Sequence, residues 1–210
     1  MIKKIAKAPQ LSSRPGVHTF DDFCWMVGDG RKADLINGTI YMASPENTNA
    51  DALYGWLHAL MNFYINKEKL GRLFGSRVAF KLDEYNSPEP DIAFLLDKHK
   101  SRIRRGRVQG PPDLAVEIVS PDSVERDYGK KRLLYEVAGV QEYWIIDEFE
   151  RKVLLLRLDG RGKYREIRPR NGVLQSQVIK GFWIKPSWFW QQPLPDLLET
   201  LEQIESPSAS

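Results

Sequence analysis

Residues 113–119, DLAVEIV, alternate: Leu114, Val116 and Ile118 fall on one side, and Asp113, Ala115, Glu117 and Val119 on the other. Successive side chains of a strand point to opposite faces, so this stretch predicts a strand that carries a carboxylate between apolar neighbours. Residues 91–96, DIAFLL, predict a second strand, nearly all apolar but opened by an acid. Residues 142–147 and 152–158 predict two more strands, and 73–82 an imperfectly alternating one. The stretches 164–168 and 178–184 are candidates to extend the same sheet. Asn37-Gly38, inside 35–43, signals a two-residue hairpin.

Helical spacing predicts a long helix from Asn47 or Thr48 to about residue 70, with Ala52, Leu57, Leu60, Met61 and Tyr64 in its pattern. A short helix over 19–26 has Thr19 as its cap and Asp21 and Asp22 in its first turn. A third spans about 123–138 and stops at Gly139, and a last one runs over about 195–204. The order after residue 47 is helix, three strands, helix, strand. A helix between the third and fourth strands requires a crossover, whereas the earlier returns look like hairpins. The expected class is α/β (α+β), a central mixed sheet flanked by helices. The expected organisation is a flexible segment over 1–18, one domain over 19–190, and a C-terminal helix with a disordered tail over 191–210.

Composition changes this picture little. The 210 residues are 42% hydrophobic and 28% charged, with a formal charge of +3, an ordinary globular balance that does not by itself imply nucleic acid. One cysteine, Cys24, allows no intramolecular disulfide. No signal-like apolar run opens the chain, and no stretch approaches the roughly 20 apolar residues of a membrane span. A cytoplasmic location is therefore expected.

The chemistry lies in the acids. A carboxylate buried in a strand, as Glu117 would be, needs an ion pair, a hydrogen bond or a metal. Asp91, preceded by Pro88-Glu89-Pro90, offers a second acid at the mouth of another strand. At about 100° per residue, Asp127 and Lys131 fall in the apolar arc of the 123–138 helix, with Val124, Leu134 and Ala138. Glu125, Tyr128, Arg132 and Glu136 fall opposite, and Lys130 lies at the arc's edge. The pair Asp127 and Lys131 is either a structural ion pair or a lysine aimed at a reacting group. Two hard carboxylates suit Mg²⁺ or Mn²⁺, which can polarise a phosphoryl oxygen, and a nearby ammonium can stabilise the charge that develops. Together they point to phosphodiester hydrolysis.

Other groups carry less. His18, His58 and His99 show no ligand spacing and read as structural or surface residues. Residues 98–107, KHKSRIRRGR, hold seven basic side chains. They form either a solvated loop or, through Arg104, Arg105 and Arg107, a phosphate contact. The aromatic run Phe182, Trp183, Trp188, Phe189 and Trp190 reads as core or as a dimer contact.

The segments PEPDIAFL, PDLAVEIVSPDS and RDYGKKRLLYEVAGVQEYWIID resemble the Uma-two family of restriction endonucleases, within the restriction-endonuclease-like, PD-(D/E)XK, nucleases. The resemblance covers roughly residues 19–190 and implies a core of helix, three strands, helix, strand. It implies that Asp91 and Glu117 bind the metal and that the lysine has moved from the second position after the glutamate, here Val119, to the following helix at Lys131. Asp127 would position that lysine. Two departures stand out: Asp34 replaces a family glutamate in ADLINGT, and Ala50 and Asp51 stand where many members have a histidine. Asp34 or Asp51 is thus a candidate further acid. The implied protein is a Mg²⁺- or Mn²⁺-dependent endonuclease acting on DNA, and because cutting both strands is simplest with two sites related by a two-fold axis, a homodimer is expected. The alternative on the same fold is a non-catalytic nucleic-acid-binding or mobile-element accessory protein.

Overall fold

The computed structural model describes residues 17–28, 30–45 and 47–206. Most of the expected loose N-terminal segment and the end of the tail lie outside the described residues. Helix α1 (Phe20–Val27) starts at Thr19, whose hydroxyl accepts from the Asp22 N–H while the Asp22 carboxylate accepts from the Thr19 N–H. Strands β1 (Ala33–Ile36) and β2 (Thr39–Met42) form the expected hairpin, with Asn37 and Gly38 both at positive φ. Helix α2 (Thr48–Lys67) is capped by the Asn47 side chain.

The central sheet has six strands: β3 (Gly71–Phe74), β5 (Ile92–Leu96), β8 (Leu114–Ile118), β9 (Glu142–Asp147), β10 (Lys152–Leu158) and β11 (Tyr164–Ile167). Their spatial order is β11-β10-β9-β8-β5-β3. Strands β8 and β9 are parallel and every other neighbouring pair is antiparallel, so the sheet is mixed. The parallel pair needs the crossover formed by the helix that follows residue 120, which ends in α3 (Arg132–Ala138) and a left-handed Gly139.

The faces of β8 divide as its alternation predicts. Leu114 and Val116 pack with Leu57, Leu60 and Met61 of α2. Ala115 and Val119 pack on the other side with Tyr135 and Tyr143. The final helix α4 (Leu197–Glu205) lies on the α2 side.

Two expectations need correction. Residues 73–82 are not one strand. The chain turns at Gly75, Ser76 and Arg77, the last with φ 97°, and β4 (Phe80–Lys81) joins a separate three-stranded sheet with β6 (Ile103–Arg104) and β7 (Arg107–Gln109). Residues 178–184 do not extend the central sheet. Only β13 (Trp183–Ile184) is extended, and it pairs with β12 (Leu174–Gln175). Gly181 turns the chain against the ring of Tyr64, whose hydroxyl donates to the Lys180 carbonyl. Of the aromatic run, Phe182, Trp188 and Phe189 are buried as the core reading expects, Trp183 and Trp190 are half-buried, and Phe189 meets Trp56 edge to face.

Candidate active site

The central sheet sets the site. In the antiparallel register, Ile92 pairs with Val116, so Asp91 and Glu117 lie one step further on, side by side at the same end of β5 and β8. Asp91 Oδ2 accepts from the Ile118 N–H at 2.7 Å, which pins the carboxylate across the strand pair. Both acids are buried, and both line one cavity of about 370 Å³ with Lys32, Asp34, Ala50, Arg126, Asp127 and Lys131.

The crossover helix supplies the lysine. Residues Arg126–Lys131 form a π-helical turn, a wider turn often found at functional sites. It breaks the 100° periodicity expected of the whole helix. Val124 is therefore exposed and Leu134 only half-buried, while Asp127, Lys131 and Tyr135 face inward. Lys131 Nζ lies 2.9 Å from Glu117 Oε2, 3.0 Å from Asp34 Oδ2 and 3.7 Å from Asp127 Oδ1. Asp127 is also held by the Ser123 hydroxyl. Lys130, the rival at the arc's edge, instead meets Tyr41 and Glu125 outside the cavity.

These contacts set the charges. Burial alone would pull the Lys131 ammonium down, but the surrounding Asp34, Glu117 and Asp127 carboxylates hold it well above its ordinary value. Three carboxylates share that ammonium. Burial, opposed by Lys131 and assisted by Asp127, Asp91 and Asp34, pushes Glu117 up to about 8. Burial likewise raises Asp127.

The hairpin brings two further charged residues to the cavity. Of the two candidate further acids, Asp34 is buried and in the cavity, with Arg126 Nε 3.4 Å away. Asp51 is exposed and lines an adjoining groove instead. Lys32, which the sequence pattern did not single out, reaches from just before β1 to pair with Asp91 Oδ1. Burial opposes its charge, but Asp91 and Glu117 outweigh that and raise its pKa. Glu89 explains the rest of Pro88-Glu89-Pro90-Asp91. Its carboxylate accepts from the Ala33 N–H, and its own N–H donates to Asp34, clamping the hairpin to the strand mouth. Burial raises Glu89 to about 7.

Tyr135 was also missed. It lies one further helical step, i+4, beyond Lys131 and donates to Glu117 Oε1 at 2.9 Å. The basic residues Arg104, Arg105 and Arg107 do not reach the cavity. They lie at the β6–β7 turn, where Arg104 Nε donates to the Ser101 carbonyl and Arg107 sits 5.4 Å over the Phe20 ring. His99 pairs with Asp113 at 2.8 Å, a structural tie between β8 and the turn after β5. Among the described residues no helix is long and apolar enough to cross a membrane.

A search of the curated proteins found no match. The crystal structure of a putative nuclease from Anabaena variabilis ATCC 29413 is similar in fold, with a TM-score of 0.67 and 20% identity over 82% of this chain and 97% of that one. Residues 17–187 match the profile of a family named Uma2 and described as "Putative restriction endonuclease". Since that match spans most of the sequence, the chain belongs to the Uma2 family.

Proposed function

We propose that this protein is a metal-dependent nuclease that hydrolyses phosphodiester bonds in DNA on a restriction-endonuclease-like core. The observation that carries the reading is Lys131, a buried ammonium 2.9 Å from Glu117 in the cavity that Asp91 also lines. The order α2, β3, β5, β8, crossover helix, β9 supports the fold assignment, with β4, β6 and β7 as an insertion.

The donor set fits a hard divalent cation. Among the described residues that line the cavity, Asp34, Asp91, Glu117, Asp122 and Asp127 stand against three cations, Lys32, Arg126 and Lys131. Asp127 Oδ1 is buried without a hydrogen-bond partner, and Glu117 is driven towards its neutral form. Such surplus carboxylate is what a cation would relieve. Asp91 and Glu117 would hold Mg²⁺ or Mn²⁺. Among the described residues no three acidic, His or Cys groups form a metal cage, so water and substrate oxygens would have to complete the shell of an ion held by two carboxylates. When bound, the cation would polarise a phosphoryl oxygen and offset its developing charge.

The chain's own groups then divide the work. The Lys131 ammonium lies where it can orient water or neutralise charge on the phosphoryl group. Asp127 and Asp34 hold Lys131 charged and in place. Tyr135 keeps one Glu117 oxygen fixed, leaving the other towards Lys131. Cutting both strands of a duplex calls for two sites, and a two-fold homodimer is the simplest assembly that supplies them.

The test is Lys131→Met, which keeps much of the stem and deletes the charge. Mn²⁺ binding should persist while cleavage falls by about 100-fold or more, the scale of a lost transition-state charge partner. Stability should fall too, because three carboxylates lose their shared cation. Adding Asp127→Asn should relieve part of that loss without restoring cleavage. A double variant that regained cleavage would make Asp127 and Lys131 a structural pair only.

A further inference from the structure

The Lys32 ammonium occupies the side of Asp91 that faces the cavity. The two Asp91 oxygens are divided: the Ile118 N–H takes Oδ2, and Lys32 takes Oδ1. Lys32 also lines the cavity, near enough to Glu117 and Lys131 to feel both charges. Its side chain keeps 19% of its exposure, against 3% for Lys131, so it sits on the solvent side of the acids. It comes from the residue before β1, on a hairpin tied to the strand mouth at Leu35 and Ser87. Lys131 is enclosed by three carboxylates, whereas Lys32 has an ion-pair contact with one.

We propose that Lys32 is a resident counter-ion of Asp91 that a divalent cation displaces, and that the freed ammonium then faces the substrate phosphate as a positioning residue. The proposal rests on the metal-binding reading of Asp91 and Glu117. A divalent cation held by Asp91 would compete with the Lys32 ammonium for the same carboxylate charge, and the two cations would repel each other at that range. That repulsion favours breaking the Lys32 pair, and the flexible four-carbon stem lets Lys32 swing within the cavity. An anionic phosphate brought in with the metal is the natural new partner for the displaced ammonium.

Calorimetry of Mn²⁺ binding to the full chain tests the exchange without turnover. Lys32→Met should bind Mn²⁺ about tenfold more tightly than wild type, since no part-buried ion pair has to be broken. Lys32→Arg should bind more weakly than Lys32→Met. In the wild-type protein, limited acetylation read by peptide mass spectrometry should show Lys32 reacting faster when Mn²⁺ is present, with Lys130 unchanged. A merely structural lysine would be slowed or unaffected as the metal stabilised the fold. Mn²⁺ binding to wild type with no gain in Lys32→Met and no rise in Lys32 acetylation would overturn the exchange alone. No Mn²⁺ binding to either protein would overturn both the exchange and the metal-binding reading.

Discussion

Glu117 has two partners that compete for nothing: Lys131 holds one oxygen and the Tyr135 hydroxyl donates to the other. Removing that hydroxyl leaves a buried carboxylate oxygen short of a donor, which costs more than a typical hydrogen bond contributes. Tyr135→Phe should therefore lower stability by about 1–3 kcal/mol in urea denaturation. Tyr128→Phe, whose hydroxyl meets Asp147 at a half-buried position, should cost less. Equal losses would mean that the Glu117 oxygen finds another donor. Much of this cluster was legible from sequence. Strand alternation put Glu117 among apolar neighbours, and helical spacing put Asp127 and Lys131 on one arc. Lys32 was not legible, because its partner Asp91 lies 59 residues away and no local pattern links them. Tyr135 was open to the same arc argument but carries no charge to draw notice.

At the scale of elements, the β1–β2 hairpin matters because it delivers Lys32 and Asp34. Its turn needs two residues at positive φ, and Asn37 and Gly38 supply them with φ of 49° and 74°. A Cβ at Gly38 would also meet Val17 Cγ1 at 2.5 Å. Gly38→Ala should cost about 1–2 kcal/mol from the left-handed backbone alone, and more from the contact. Gly172→Ala has a similar φ, 75°, but open space around it, so it should show only the backbone part. Comparing their urea midpoints checks this, and equal shifts would remove the packing role given to Val17. The sequence marked this hairpin through Asn37-Gly38. It could not mark the π-helical turn at Arg126–Lys131, which has no signature in an apolar pattern read at 100° per residue. For the same reason Val124 was placed inward and lies exposed.

At the scale of the whole molecule, the sheet holds its acids at one end, and the crossover helix and hairpin close over them from two directions. Buried charges away from this end can have their own partners. Glu142, for example, accepts from Arg157, Ser176 and the Gln177 N–H, which ties β9 to the segment after β12. The order of the core elements was readable because each has its own period and stop signal. The separate sheet of β4, β6 and β7 was not, since its strands are two or three residues long. Asp91 and Glu117 together are expected to support metal-dependent cleavage. The most direct measurement is Mn²⁺-dependent nicking of supercoiled plasmid DNA by wild type, Asp91→Asn and Glu117→Gln, each with and without EDTA. Wild type should cleave, EDTA should abolish that cleavage, and each substitution should lower it by about 100-fold or more. Cleavage that survives either substitution, or a wild type inert with both Mg²⁺ and Mn²⁺, would contradict that expectation.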